Sequence, residues 1–166
     1  MINIPILPLL ILVPLLGIIF ILLSVEDDEN FFHAKKSALW TTIINFLLSI
    51  YIPFNFDKNV PHFQFVNSFS WLNNENLKFS LGIDGISLPF IILTTFLIPL
   101  CVFFIWNIKK EKIKSYLICF LLLESFLIGA FSAIDLFSFY IFFESILIPM
   151  YIIIGVWGGK NRIYSA

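Results

Sequence analysis

The chain has 166 residues, of which 60% are hydrophobic and only 13% charged, with a mean hydropathy of +0.98. Soluble domains carry about 25% charged residues, so this composition excludes an ordinary globular enzyme and points to an integral membrane protein. The formal net charge of −1 is uninformative, because in a membrane protein the placement of Lys and Arg matters more than their sum, and no stretch is basic enough for nucleic acid.

Apolar segments long enough to cross about 30 Å of hydrocarbon recur along the chain, and five can be drawn. The first runs from Ile4 to Leu23. No Lys or Arg precedes Lys35 and the run is too long for a signal-peptide core, so it is expected to be a retained helix. An Arg-rich amphipathic presequence is also absent from this stretch. The second segment spans Ala38 to Phe54. After it comes DKNVPHFQFVNSFSWLNNENLKFSLGIDG, polar and without a span of its own, whose alternation in HFQFVNSF predicts an extended or hairpin-like piece.

The third segment is predicted over Ile86 to Trp106. Just before it, Asp84 lies between two glycines and fits an N-cap, with Ser87 at the third helical position. Pro89 and Pro99 fall at the start of or within that helix, where kinks are tolerated if neighbours satisfy the backbone. The fourth segment, Ile113 to Phe131, contains Glu124 in FLLLESFLIGA. That carboxyl is ten residues past Lys114, roughly 15 Å deep at the helical rise. It has two readings, a second relay carboxylate or a locally hydrogen-bonded acid.

The fifth segment is predicted over Ala133 to Trp157. Ser132 and Asp135 have the S-x-x-D spacing of a capping box, which makes Asp135 a helix-start residue. Glu144 stands in FYIFFESILIPMYIIIGVW, nineteen residues with no other formal charge. A charge so placed costs several kcal/mol, and intramembrane acids usually face protein or a water-filled cavity. On a 3.6-residue period Tyr140, Ile148, Tyr151 and Gly155 share its face, and Asp135 points the other way. Pro149, one turn on, has no N–H for the carbonyl of Ser145, which makes a kink and a place for water. A buried Glu without a cation holds its proton and a nearby Lys draws the group into its ionised form, so moving a charge switches it, as a proton relay requires. The competing reading is a protonated Glu that only hydrogen-bonds a neighbouring helix.

Cys101 and Cys119 lie inside apolar segments without metal or redox spacing, and His33 and His62 have no partners at ligand spacing, so no metal or cofactor site is expected. With the amino terminus outside, the inner loops carry Lys35, Lys36, Lys109, Lys110, Lys112, Lys114, Lys160 and Arg162, and the outer loops only Lys58 and Lys78. The positive-inside rule then places the carboxyl end on the matrix or cytoplasmic side.

LGIDGISLPFIILTTFLIPL together with FSAIDLFSFYIFFESILIPMYIIIGVWGGKNRIYSA resembles the chain 4 family of NADH:ubiquinone oxidoreductase, respiratory complex I, in its mitochondrial or alphaproteobacterial form. The resemblance runs from the first helix to the end of the chain. It implies an all-α integral membrane protein, here the first five helices of an antiporter-like bundle, forming a single membrane domain over residues 1–166. It implies a proton-translocating, non-redox subunit with Glu144 on a charged axis of the membrane arm. Flavin, iron–sulfur clusters and ubiquinone would belong to other parts of the complex. Family members have about fourteen helices in inverted repeats, so the resemblance also implies partners: other membrane-arm subunits, and a separate chain carrying the remaining helices with the lysines that pair with Glu144. The implied location is the mitochondrial inner membrane, or a bacterial plasma membrane. Two alternatives stand beside it: a subunit of a related multisubunit cation/proton antiporter or plastid-type NDH complex, and a scaffold fragment that moves no protons.

Overall fold

The computed structural model describes residues 5–24, 31–70, 78–106 and 112–159. Five helices are present there, each long and apolar enough to cross a membrane: α1 (Ile6–Leu23), α2 (Phe32–Asn55), α3 (Ser87–Phe104), α4 (Ile113–Ser132) and α5 (Leu136–Trp157). Between α2 and α3 the expected extended piece is an antiparallel hairpin, β1 (Gln64–Ser70) and β2 (Lys78–Ile83), pairing Asn67 with Leu81 and Ser70 with Lys78. The pairing satisfies the facing backbone groups of the two strands.

α4 is the central post. It packs against α1, α2, α3, α5 and β2 and buries half of its residues, whereas α5 is almost bare apart from its contact with α4 and β2. Two apolar clusters stack along the bundle. The outer one joins Ile6, Leu7 and Leu10 with Ile52, Leu81, Ile83, Ile91 and Ile128. The inner one joins Ile21, Ala34 and Ala38 with Ile98, Val102, Leu117 and Leu121. The hairpin thus contributes to the core, with Leu81 and Ile83 closing the outer mouth of the bundle.

The second helix begins at Phe32, six residues before the predicted Ala38. The difference lies in what the charges do. Lys35 is buried at the inner end, where its Nζ donates to the carbonyl of Trp106 at 3.0 Å, and Lys114 Nζ donates to the carbonyl of Ser24 at 2.7 Å. Each cation meets carbonyls at the carboxyl end of a neighbouring helix, α3 or α1, where the helix dipole favours positive charge. These lysines therefore belong to the bundle and also mark its inner end. Of the other inner cations, Lys109, Lys110, Lys160 and Arg162 lie outside the described residues.

The fifth helix begins at Leu136 and not at Ala133, and the Ser132–Asp135 capping box is not formed. Ser132 is the last residue of α4, its hydroxyl donating back to Ile128 O at 2.7 Å. Asp135 is itself the N-cap, accepting from Ser138 N at 2.7 Å and from the Ser138 hydroxyl at 2.9 Å. The same carboxylate accepts from Ser80 N of β2 at 2.9 Å, and Ile134 N donates to Ser80 O at 3.0 Å. Asp135 therefore clasps the hairpin to the α4–α5 turn. Gly82 lets the two segments approach closely: a Cβ there would lie 2.7 Å from Ile134 Cδ1 and the Ile134 side chain would have to shift. At α3 the expected cap is present: Asp84 Oδ1 accepts from Ser87 N at 2.6 Å, and Ser87 Oγ accepts from Asp84 N at 3.0 Å. Those bonds from Ser87 outweigh burial and hold the Asp84 carboxyl below its usual range.

A single cysteine placed at position 110 should react with a membrane-impermeant thiol reagent from the matrix or cytoplasmic side. Reaction from the opposite side only would invert the orientation. Burial works to raise the Asp135 carboxyl, but the bonds from Ser138 and Ser80 outweigh it and hold it below the ordinary value. Its stabilising effect is therefore fully present above the unfolded carboxylate value of about 3.9 and is lost as pH falls through the lower folded value. Asp135→Ala should cost about 0.5–2 kcal/mol as a lost cap and speed amide exchange at both Ser138 and Ser80. Unchanged exchange at Ser80 would show that the clasp does not hold the hairpin.

Candidate functional site: two acids at one depth

Between the two apolar clusters lies a polar layer. Thr42, Asn45 and Ser49 follow one another at helical spacing on the inward face of α2, and Thr95 on α3 and Glu124 and Ser125 on α4 meet them, all fully buried. Asn45 Nδ2 donates to Glu124 Oε1 at 2.8 Å, and the hydroxyls of Ser49 and Thr95 are 2.7 Å apart. Ser125 Oγ donates to Ile11 O at 2.8 Å, one residue past the Leu10 carbonyl that would meet the N–H Pro14 lacks. This is how a helix bundle satisfies polar groups where water is absent. Asn45, Ser49 and Thr95 were not singled out in the sequence. The legible signal was the Thr42–Asn45–Ser49 stripe, which recurs every three to four residues in an otherwise apolar span.

Glu144 is eight residues into α5 and Glu124 eight residues before the end of α4, so in these antiparallel neighbours both carboxyls lie roughly 12 Å from the outer ends. Equal depth does not bring them together. The α4–α5 contact is made where Phe142 covers Gly129, at which a Cβ would come within 2.5 Å of the ring. Glu144, two residues on, is about 200° around the helix from Phe142 and faces away from α4. Glu124 instead faces α2.

Glu144 stands exposed on the open side of α5 with Tyr140 (60% exposed), Ile148 and Tyr151 (both 62%), the face expected from the helical period. Neither phenol is hydrogen-bonded to it, and among the described residues the carboxyl has no bonded partner. With Ser145, Leu147, Ile148, Tyr151 and Ile152 it lines an open concavity of about 610 Å³. Pro149, one turn further, is buried, and Ser145 turns its hydroxyl to Ile141 O at 2.7 Å. Chemically the arrangement is an exposed carboxyl part-way along a spanning helix, with a phenol on the same face toward either end. Among the described residues no three His, Cys, Asp or Glu side chains converge as metal ligands.

Five helices long and apolar enough to span, around a buried polar layer and with a second acid on an open helix face, define a polytopic helical membrane protein. A family model described as NADH:quinone oxidoreductase/Mrp antiporter, transmembrane, matches residues 133–166. Over its whole length the chain is 47% identical to NADH-quinone oxidoreductase subunit M of Rickettsia bellii, covering 34% of that protein. It is 47% identical over 92% of its length to NADH-ubiquinone oxidoreductase chain 4 of Marchantia polymorpha, covering 30% of that protein. The fold matches a chain of respiratory complex I from Thermus thermophilus with a TM-score of 0.75 at 24% identity, over 96% of this chain and 31% of the other. The resemblance read from the sequence thus holds: the chain is similar throughout to subunit M and chain 4 proteins and spans about a third of the length of the curated relatives it matches.

Because Gly129 admits Phe142 only for want of a Cβ, Gly129→Leu should pry α5 from α4. A cysteine pair engineered across that contact should then lose most of its disulfide cross-linking, while the Asp84 cap of α3 stays intact. Full cross-linking in the variant would mean the helices meet elsewhere.

Proposed function

We propose that this chain is a non-redox, proton-translocating part of the membrane arm of an NADH:quinone oxidoreductase, with Glu144 as its relay carboxylate. One observation carries the reading: a carboxyl part-way along a spanning helix, flanked by Tyr140 and Tyr151, lies on a helix face that the described residues leave open. A partner chain supplying further helices, among other membrane-arm subunits, covers that face and brings a cation toward Glu144. Movement of that cation toward and away from the carboxyl is what would couple the site to the rest of the membrane arm. Pro149 loosens the backbone one turn away, where water can reach the carbonyl of Ser145. Of the two midplane acids we assign the relay to Glu144, because Glu124 is enclosed by the bundle. Flavin, iron–sulfur and quinone chemistry belongs to other subunits.

The names of the relatives support the oxidoreductase reading over a stand-alone cation/proton antiporter or a plastid-type NDH complex. Relatives from both Rickettsia and a plant mitochondrial-type chain 4 suit an energy-coupling membrane, and we place the protein in the mitochondrial inner membrane, with a bacterial plasma membrane as the alternative. A scaffold role predicts different chemistry at the same residue. Glu144→Gln keeps volume and hydrogen-bonding capacity and removes the ionisable group, so the assembled complex should persist while NADH-driven proton translocation falls sharply. Glu144→Asp, one methylene shorter, should retain partial activity if water bridges the gap. Wild-type quinone reduction and proton translocation in Glu144→Gln, at equal assembly, would overturn the relay and favour the scaffold.

A further inference from the structure

The Asn45–Glu124 contact leaves two atoms over. Both side chains are fully buried, one bond joins Asn45 Nδ2 to Glu124 Oε1 at 2.8 Å, and Asn45 Oδ1 and Glu124 Oε2 have no partner. Both orphans are acceptors when the carboxyl is ionised, so no rotation of either group pairs them. Buried polar atoms are otherwise satisfied with few exceptions, and two orphans on one interacting pair call for a common cause.

A carboxylic acid facing a primary amide makes two bonds at once, amide N–H to the acid carbonyl and acid O–H to the amide oxygen. The first is present in the structure, and the second would join the two atoms left over. One proton therefore satisfies both. A cation is the other way to satisfy two oxygens, but it needs several more oxygen ligands. The hydroxyls of Thr42, Ser49, Thr95 and Ser125 give their hydrogens to backbone carbonyls, so none of them supplies a donor to either oxygen. Protein cations stand too far off to neutralise a carboxylate: His33, Lys35 and Lys36 on α2 and Lys114 on α4 are nine or more residues along their helices, roughly 13 Å or further.

We infer that Asn45 and Glu124 form a proton-binding site in the centre of the bundle, with one proton held on Oε2 and donated to Asn45 Oδ1. The site closes a two-bond ring between α2 and α4, keeps the polar layer electrically neutral, and makes Asn45 a positioning residue for the acid. It is independent of the role of Glu144. Glutamine at position 124 would reproduce both bonds, its N–H replacing the acid O–H, so Glu124→Gln is expected to accumulate normally.

The test is infrared spectroscopy of the full chain, purified with whatever assembles with it, in lipid nanodiscs at neutral pH. The wild-type minus Glu124→Gln difference should contain the C=O stretch of one protonated carboxyl, lost in the variant. Asn45→Leu, which keeps the acid and removes the amide, should shift that band to higher frequency as the N–H donor to Oε1 is lost. A difference spectrum showing only carboxylate bands would overturn the site, and an unshifted band in Asn45→Leu would overturn the pairing.

Discussion

The hydrogen bond between Asn45 and Glu124 is the constraint on which the remaining architecture turns. A carboxyl near the bilayer midplane has no water to meet it, so the chain must supply its partner from another helix. That requirement fixes the facing sides of α2 and α4, and the residues above and below follow. Ile52 and Ile128 pack on the outer side, and Ala38 with Leu117 and Leu121 on the inner side. α3 joins through Thr95 against Ser49, and α1 through Ile11 against Ser125. The polar layer thereby gives four helices a common register that apolar side chains, indifferent to lipid or protein, do not set.

The same logic explains why α5 is different. It packs along α4 on one face, from Phe142 over Gly129 to Trp157 against Tyr116, and is anchored at its outer end by Asp135. Its other face carries Glu144 and two tyrosines into open space. Two acids at one depth, on adjacent helices, thus have opposite surroundings. One is enclosed and bonded within the bundle, and the other lies on a face that the described residues leave uncovered. Charge at the bundle ends follows simpler rules, with Lys35 and Lys114 at helix carboxyl ends and Asp84 and Asp135 at helix starts.

Much of this was legible in the residues. Five apolar runs predict five spans, and the Asp84–Ser87 spacing predicts its cap because the geometry is local. The period of 3.6 places Glu144 with Tyr140 and Tyr151, since all lie on one helix. What failed was decided by tertiary contact. Lys35 and Lys36 look like loop residues until Trp106 is seen to need a donor, which lengthens α2. Asp135 looks like the far member of a capping box until Ser132 is seen to end α4 and Ser80 to claim the carboxylate. The partner of Glu124 is seventy-nine residues away, and spacing cannot report a contact of that range.

The difference between the two acids is the centre of this account, and a lipid-soluble carbodiimide measures it directly, because it modifies protonated carboxyls that it can reach from the hydrocarbon. Mass spectrometry of the modified chain in lipid should find the adduct on Glu144 and none on Glu124, with the Glu144 adduct suppressed when partner helices are assembled on α5. An adduct on Glu124, or equal modification of Glu144 with and without the partner, would contradict it.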